Sequence, residues 1–443
     1  MPNIPSFLSK NLLHLIKGSS LHVITQMAAI ALGFISSFLV AKYFGAALVG
    51  NIATITSLFS LLGLLSLVGN QSLALKVVPQ QLLKGGYLSA SITYKRLLIN
   101  STYASIILIS VWILVELHLP FTLLKGLESY LYLTALLIII NVFFILNGKI
   151  LRGLGDYKYF TLLDFLPAAF SLCAVIIAIA LNISGENYLL IHFLPRLALV
   201  ALAFYLVRNL LRKINVKEIA ENTTFPTTVS TPTKRYLLRT SVPMLGITIS
   251  TASIAHLDIL MLNHFSSPTV VGVYSIYVKF AGVAAMATVS INAMFAPKIA
   301  ALHTEENHKE LKTFSKNVTL LLFSAVVVLT TLLLLIHRPL LAFYGPQFLS
   351  ALPALYILLI SNAVMAFFGS FGFFLNMTGH QNSFFWIILA AAILNALLNY
   401  IFIPVYGIYG AAIATLLATL VSSVLATFKI KAINNYTLIW TGK

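Results

Sequence analysis

The chain alternates between long apolar stretches and short polar ones along almost its whole length. A helix needs about 20 mostly apolar residues to cross the hydrocarbon core of a bilayer. The pattern therefore predicts an all-α integral membrane protein with 12 transmembrane helices, arranged as two six-helix halves around a central cavity. The predicted spans are residues 19–42, 48–69, 97–117, 129–150, 159–182, 188–210, 240–262, 270–295, 315–337, 352–376, 384–404 and 408–430.

Composition excludes a water-soluble fold. Of the 443 residues, 59% are hydrophobic and 9% are charged, whereas soluble domains carry roughly 25% charged residues. The single cysteine, Cys173, excludes an internal disulfide and a thiolate metal cluster. No nucleotide-binding G-x-x-x-x-G-K-[ST] sequence is present, so the chain is expected to have no ATPase of its own. No large acidic loop indicates a membrane glycosyltransferase either, so an enzyme is not expected. No cofactor is expected beyond a coupling ion, H⁺ or Na⁺.

The 28 lysines and arginines are divided unevenly between the two sides of the predicted bundle. Loops on the side of both termini hold 23 of them, and the opposite loops hold only Lys42, Lys125 and Arg338. Arg196 and Lys279 fall inside spans. Because cytoplasmic loops retain bases, both termini are predicted to be cytoplasmic. The net charge of +17 therefore needs no nucleic-acid partner to explain it.

A segment rich in threonine and proline follows the sixth span and lacks an apolar period, which is typical of a flexible linker. It predicts three parts: an N-terminal six-helix lobe at 1–210, a cytoplasmic linker at 211–239 and a C-terminal six-helix lobe at 240–443.

The two predicted lobes have similar sequences in two pairs of loops. Residues 151–160 match 375–384, because in both a glycine follows a leucine by four positions and a phenylalanine follows the glycine by five. Residues 44–50 match 265–272 with one insertion, and both end in Val-Gly. Parallel repeats of six spans are a transporter architecture with the substrate site between the repeats.

Polar and ionisable side chains inside spans are the candidate functional residues. A charge at the bilayer centre costs about 2.5–3.5 kcal/mol, so such a residue normally faces protein or water. The candidates are His22, Gln26, Asp164, His192, Arg196, His256, Asp258 and Lys279.

Arg196 and Lys279 are interpreted as cations that attract an anionic headgroup, and Asp258 as a counter-charge or ion-coupling group. The alternative for Asp258 and Lys279 is a structural ion pair that locks spans seven and eight together. His192 precedes Arg196 by four residues, with Pro195 between them as a predicted kink, and is grouped with the substrate-binding residues.

The remaining candidates have weaker interpretations. His22 and Gln26 share a helix face, and either bind substrate or hydrogen-bond across helices. Asp164 lies near the cytoplasmic end of its span, which favours an interfacial or capping residue. His256 is interpreted as a packing residue.

Five features of the second half occur in the order found in a known family. Residues 258–275 read DILMLNHFSSPTVVGVYS, Pro297 precedes a short charged loop, and 344–348 read YGPQF. Residues 395–404 read NALLNYIFIP, and 407–415 read GIYGAAIAT. They resemble the "D-x-x-x-L-x-x-F…VG-x-Y", "fG-x-x-F" and "N-x-x-L-N-x-x-x-I-P…GI-x-GAAIAT" stretches of the polysaccharide-transporter family. These are the Wzx-type flippases of the multidrug/oligosaccharidyl-lipid/polysaccharide (MOP) superfamily.

The resemblance implies a flippase for an undecaprenyl-diphosphate-linked oligosaccharide, such as an O-antigen unit of lipopolysaccharide or a related surface polysaccharide. Translocation would run by alternating access from the cytoplasmic to the periplasmic leaflet of the bacterial inner membrane. Its implied partners are the lipid-linked oligosaccharide, membrane lipid, and the glycan polymerase and glycosyltransferases of the same pathway. Two alternatives stay open: a multidrug or organic-cation antiporter of the same superfamily, and a membrane-embedded glycan polymerase.

Overall fold

The computed structural model describes the backbone of residues 6–118, 122–220, 234–434 and 436–439, and the side chains in those ranges except at 6–23, 84–85, 217–220, 234–243 and 293. Every regular element in these ranges is helical. The α-helices are α1 (Ser6–Phe44), α2 (Ala46–Ser66), α3 (Asn70–His118), α4 (Leu131–Gly153), α5 (Tyr157–Ala180), α6 (Gly185–Phe193), α7 (Pro195–Ala220), α8 (Lys234–Phe265), α9 (Pro268–Thr304), α10 (His308–Tyr344), α11 (Leu352–Phe368), α12 (Phe371–Met377), α13 (Gln381–Tyr406) and α14 (Ile408–Asn434). Two short 3₁₀ helices, Glu128–Tyr130 and Pro346–Leu349, complete the set.

Twelve stretches of these helices are long and apolar enough to cross a membrane, which confirms the predicted all-helical membrane fold. Several helices are longer than the membrane spans predicted from their apolar stretches. The clearest case is α3, which has 49 residues, whereas its apolar stretch predicted a span at 97–117. Its polar first half continues the same helix.

Two of the twelve spans are broken. The sixth consists of α6 and α7, which meet at Leu194. Pro195 begins α7 and has no amide hydrogen to donate, so the helix breaks where the sequence predicted a kink. The tenth consists of α11 and α12, separated by Gly369 and Ser370, and its break was not predicted.

The repeated loops 151–160 and 375–384 adopt the same turn. Gly155 and Gly379 have φ of +81° and +79°, a left-handed conformation that closes a helix with little strain only at glycine. In each loop the amide after the glycine donates to the carbonyl of the leucine four residues before it, at 2.9 and 2.7 Å. The sequence similarity of these two loops therefore corresponds to a shared local structure.

Packing divides the described residues into two compact units. The first draws on Met1–Leu39, Leu62–Leu114 and Tyr130–Val242, and the second on Val40–Leu61, Val115–Ser129 and Pro243–Lys443. The second unit thus includes most of α2 and the loop after α3, although both precede the linker in the chain. Residues 221–233 of the predicted linker lie outside the described part.

Each unit has an apolar core. In the first unit it forms among α3, α4, α5 and α7, and its buried members include Leu97, Leu146, Ile150, Leu163 and Val207. In the second unit α9, α10, α12, α13 and α14 supply a core that includes Leu311, Phe374 and Ile430. Tyr436 and Leu438, beyond α14, pack into this second core.

Candidate functional site

A buried carboxylate lies at the meeting point of four helices in the second unit. Asp258, on α8, is only 4% exposed. One carboxylate oxygen accepts hydrogen bonds from the Tyr274 hydroxyl of α9, at 2.7 Å, and from the Thr415 hydroxyl of α14. The other accepts from the Asn399 side-chain amide of α13. Three neutral donors therefore converge on a carboxylate that is removed from solvent.

A second asparagine, Asn395, extends this group, which we call the Asp258 cluster (Asp258, Tyr274, Asn395, Asn399 and Thr415). Asn395 lies one turn before Asn399, and its side-chain oxygen accepts a 3.1 Å hydrogen bond from the Asn399 amide nitrogen. Within the described residues, the Asn399 oxygen and the Asn395 amide nitrogen are buried and have no hydrogen-bond partner. The cluster therefore retains unused hydrogen-bonding capacity beside the carboxylate.

The positions of these residues follow from two helix hairpins. Asp258 and Tyr274 are equally far from Ser266, which lies in the turn between α8 and α9. Asn399 and Thr415 are equally far from Gly407, which joins α13 to α14. Since the rise per residue is constant in a helix, residues equidistant from a hairpin turn lie at the same depth. Each hairpin thus brings two polar side chains to one level.

Lys279 does not pair with Asp258. It follows Tyr274 by five residues on α9, which at 100° per residue places it about 140° around the helix from the face that meets the carboxylate. Its side chain is exposed, and the ammonium has no hydrogen-bond or ion-pair partner among the described residues. Further along α9, the Lys298 ammonium lies 3.6 Å from the Glu310 carboxylate of α10.

Arg196 and His192 lie on either side of the break in the sixth span. Arg196 is half-buried in the first turn of α7, with its guanidinium 5.9 Å from the Phe193 ring centre. His192 is in the last turn of α6, and its Nδ1 is 3.1 Å from the Tyr188 hydroxyl. Because the helix is interrupted between them, the two residues do not share one continuous helix face. A small recess beside Arg196, with room for no more than about one water molecule, is lined by Ile140, Asn141, Phe144, Pro167, Arg196 and Leu199.

The other candidates are dispersed. Gln26 is exposed on α1, and the His22 side chain lies outside the described residues. Asp164 is exposed on α5, whose first turn is capped instead by Asp156, the acceptor for the Tyr159 amide at 3.2 Å. His256 is half-buried on α8.

Sequence reasoning found Asp258 but missed the residues that hold it. Tyr274, Asn395, Asn399 and Thr415 all occur in the stretches that carry the family resemblance, yet none was chosen as a candidate. The equal spacing of each pair around its hairpin turn is a signal that could have identified them.

No family model and no curated protein sequence matches the chain. Solved structures do match over nearly its whole length. An inward-facing multidrug resistance MATE family transporter of the MOP superfamily is 14% identical, covers 94% of this chain and 98% of its own, and has a TM-score of 0.67. The lipid II flippase MurJ, in an inward closed conformation, is 16% identical over 93% of this chain and 87% of its own, with a TM-score of 0.66. A MOP superfamily transporter from Pyrococcus furiosus is 14% identical over 95% of each chain, with a TM-score of 0.62.

The chain has the MOP transporter fold. At these identities the likeness shows the fold alone. A multidrug transporter and a lipid flippase resemble the chain equally well, with TM-scores of 0.67 and 0.66. The fold therefore does not distinguish between these two kinds of transporter.

Proposed function

We propose that the chain is an ion-coupled transporter that moves an undecaprenyl-diphosphate-linked oligosaccharide from the cytoplasmic to the periplasmic leaflet. The observation that carries this proposal is Lys279, an ammonium on a membrane-spanning helix that is exposed and without a partner among the described residues. Such a charge is costly unless it faces water or an anion. A diphosphate headgroup is an anion of the required kind.

The substrate class follows from the physics of the crossing. A diphosphate with attached sugars cannot enter hydrocarbon unaided, because each unsatisfied polar group costs several kcal/mol there. The protein must offer a polar, cationic route for the headgroup while the lipid tail stays in the bilayer. Arg196 suits this task because a guanidinium can hold two phosphate oxygens at once. Lys279 would add a second positive charge, and His192, His22 and Gln26 would contribute hydrogen bonds.

Coupling is assigned to the Asp258 cluster. The sequence contains no nucleotide-binding loop, so the driving force has to come from an ion gradient or from removal of the product. A buried carboxylate surrounded only by neutral groups has no fixed counter-charge, so uptake of H⁺ or of a small cation such as Na⁺ would neutralise it. Uptake on one side and release on the other would tie the transport cycle to the gradient.

A second candidate is an organic-cation antiporter. It is favoured by the buried negative group at Asp258, and a MATE multidrug transporter shares the fold as closely as the lipid flippase does. In the Pyrococcus furiosus transporter, which shares this fold, a reversed polarity of the binding pocket suggests a different function. The sign of the charge that binds substrate therefore decides between the two candidates, and Lys279 and Arg196 favour an anion.

Purified protein in liposomes separates these functions. One preparation carries a fluorescent polyprenyl-diphosphate oligosaccharide whose leaflet is read by a membrane-impermeant quencher, and another carries rhodamine 6G inside. We expect the lipid to be flipped and the dye to be retained. Arg196→Ala and Lys279→Ala should each slow flipping by about tenfold or more, as expected when a charged substrate contact is lost.

Matched controls keep the result specific. Arg338→Ala removes an exposed arginine outside the proposed route and should leave flipping unchanged. Full flipping by both the Arg196 and Lys279 variants would refute the cationic site, and dye export without lipid flipping would establish the antiporter instead. Elongation of the glycan, visible by mass spectrometry, would indicate a polymerase.

A further inference from the structure

Helix α3 folds back on itself at a glycine. Gly86 has a φ of +61°, a left-handed conformation that favours glycine and turns the chain sharply. The Asn70 side-chain amide donates a 2.9 Å hydrogen bond to the Ser101 hydroxyl, although a straight helix would hold these residues about 46 Å apart. Closer to the turn, the Ser89 hydroxyl donates to the Gln81 side-chain oxygen at 2.9 Å. The two halves of α3 therefore run side by side as a helical hairpin.

Three exposed bases lie at one level of this hairpin. Asn70 and Ser101, which are bonded, are equally far from the turn, and so are Lys76 and Lys95. Because the rise per residue is constant, Lys76 and Lys95 lie at the same depth on neighbouring arms, and Arg96 follows Lys95 directly. All three side chains are exposed, and none has a hydrogen-bond or ion-pair partner among the described residues. We call Lys76, Lys95 and Arg96 the basic trio.

The basic trio lies at the predicted edge of the hydrocarbon core. The apolar stretch of α3 begins at residue 97, directly after Lys95 and Arg96. The trio is therefore within about 3 Å of that edge along the helix. Lipid phosphates lie in the polar region just outside the hydrocarbon core, and long basic side chains near helix ends reach into it.

The helix face beside these bases is apolar and exposed where it enters the core. Ile99, Ile106 and Ile107 are 54%, 51% and 65% exposed. At 100° per residue, Ile99 and Ile106 lie within about 40° of Lys95, and Ile107 lies about 20° from Arg96. Each base on this arm therefore stands at the end of an exposed apolar stripe, which suits a ligand with an anionic head and apolar chains.

The charges around the basic trio are all of one sign in the first part of the chain. The first acidic residue is Glu116, so every charged side chain of α1, α2 and the hairpin arms up to that point is positive. The bases around the turn between α9 and α10 differ, because Glu305, Glu306 and Glu310 lie among them and Glu310 is 3.6 Å from Lys298. The trio thus depends on an anion from outside the described protein.

We propose that the basic trio and the apolar stripes beside it bind an anionic phospholipid in the leaflet on the side of the chain termini. The three cations hold its phosphate, and its acyl chains lie along the exposed isoleucines. A lipid fits better than a free phosphate, because the apolar contact begins directly at the bases and a soluble anion gains nothing from it. The site lies outside the proposed transport route and does not depend on the proposed function.

Quenching by brominated lipids tests the site directly. In a Cys173→Ser background, Ile106→Cys carries a bimane fluorophore in phosphatidylcholine vesicles that contain dibrominated phosphatidylglycerol or, separately, dibrominated phosphatidylcholine. We expect the binding constant at this position to favour phosphatidylglycerol by about tenfold or more, since each base near an anionic lipid should contribute about fivefold. Equal quenching by the two lipids would overturn the site.

A second labelling position separates a local site from general enrichment of anionic lipid around the protein. Ile106 and Ile393 both lie nine residues after the start of their predicted spans, at 97 and 384, and are 51% and 54% exposed. Helix α13, which carries Ile393, has no lysine or arginine. Bimane at Ile393→Cys should be quenched equally by the two lipids. An equal preference for phosphatidylglycerol at both positions would exclude a site on α3.

Charge removal shows whether the basic trio is responsible. Replacing all three of its members by glutamine changes only exposed side chains, so the variant should unfold at the same temperature as the unaltered protein and lose the preference at Ile106. Lys298→Gln combined with Lys309→Gln and Lys312→Gln removes three exposed charges from the second unit and should keep the preference. A preference that survives in the trio variant would refute the assignment.

Inorganic phosphate distinguishes a lipid site from a site for a soluble anion. Added in place of chloride at equal ionic strength, it should leave the quenching by brominated phosphatidylglycerol unchanged, because charge screening is the same in both buffers. Displacement of the lipid by phosphate would assign the bases to a soluble anion instead. None of these measurements involves lipid flipping, so their outcome and that of the transport assay are independent.

Discussion

The hydroxyl of Tyr274 donates a 2.7 Å hydrogen bond to the carboxylate of Asp258, although the two residues lie on different membrane-spanning helices. The carboxylate has no cation partner among the described residues and is held by neutral donors alone. In the proposed transport cycle the carboxylate could therefore gain and lose its charge without first releasing a fixed positive group.

Replacing Asp258 by asparagine is expected to uncouple transport from the ion gradient. The amide has nearly the same shape as the carboxyl group, but it cannot take up H⁺ and binds Na⁺ far less strongly. Proteoliposomes with and without an imposed H⁺ or Na⁺ gradient measure this, and the variant should flip lipid at the same rate in both. Asp164→Asn, at an exposed position on α5, should respond to the gradient like the unaltered protein. Full gradient stimulation of the Asp258 variant would contradict the assigned coupling role.

Tyr274→Phe is expected to lower stability, whereas Tyr436→Phe is not. Both hydroxyls are buried, but that of Tyr274 serves Asp258 and that of Tyr436 has no partner in the described residues. Loss of a hydrogen bond to a charged group costs about 1.5–3 kcal/mol, which should lower the thermal unfolding midpoint in detergent by several degrees. Burial raises the pKa of Tyr436 to about 12, so its hydroxyl stays protonated near neutral pH.

The loss of stability in Tyr274→Phe is expected to depend on pH. A protonated Asp258 needs fewer donors, so the stability deficit of Tyr274→Phe should shrink as the pH is lowered. The Tyr436→Phe midpoint should track the unaltered protein throughout. An equal loss of stability in both variants would mean that the Tyr274 hydroxyl has no special relation to the carboxylate.

Reversing the charge of Lys279 is expected to abolish flipping of a diphosphate-linked lipid, while Lys279→Arg preserves most of it. A carboxylate at this position would repel the headgroup, since like charges brought together at low dielectric cost several kcal/mol. Leaflet quenching in proteoliposomes measures both variants. Lys298→Glu, on the same helix at an exposed ion pair, is the matched control and should remain active. An active Lys279→Glu variant would place the headgroup elsewhere.

Gly155→Ala and Gly379→Ala are expected to destabilise the protein by similar amounts. Both glycines have left-handed φ angles and open space around them, so the cost is backbone strain alone, about 1–2 kcal/mol each. Gly148→Ala, in the interior of α4 with equally open surroundings, should be neutral or slightly stabilising. Thermal unfolding of the three variants checks this. Unequal losses at the two turns would argue against the structural repeat.

Hydropathy was sufficient to predict the architecture, because length and apolar composition alone decide whether a helix can span a bilayer. The break at Pro195 was also predictable, since proline cannot continue the hydrogen-bond ladder. The break at Gly369 and Ser370 was not, because its position depends on tertiary packing of α12 into the second core.

The sequence left open an ion pair between Asp258 and Lys279. The angle around α9 excludes it, because Lys279 lies about 140° around the helix from the face that meets the carboxylate. Asn395 and Asn399 lie one turn apart in an apolar span and could have been chosen from their spacing. Their convergence with Asp258 depends on contacts between helices far apart in sequence, which a single chain does not reveal.

Both α2 and the loop after α3 belong to the second unit, and this affects the order in which the protein can assemble during synthesis. The Asn263 side chain of α8 is hydrogen-bonded to Thr54 of α2 and to the carbonyls of Leu123 and Lys125 in the loop. The backbones of Gly272, on α9, and Gly50, on α2, are in direct contact. When the first six spans leave the ribosome and enter the membrane, Gly50, Thr54, Leu123 and Lys125 have no partners, because the segment containing Asn263 and Gly272 is not yet synthesised. In the nascent chain these residues therefore stay without their partners until the eighth span is inserted. Packing of α2 and of the loop after α3 into the second unit is thus a late event in biogenesis, because the residues they contact are translated well after them.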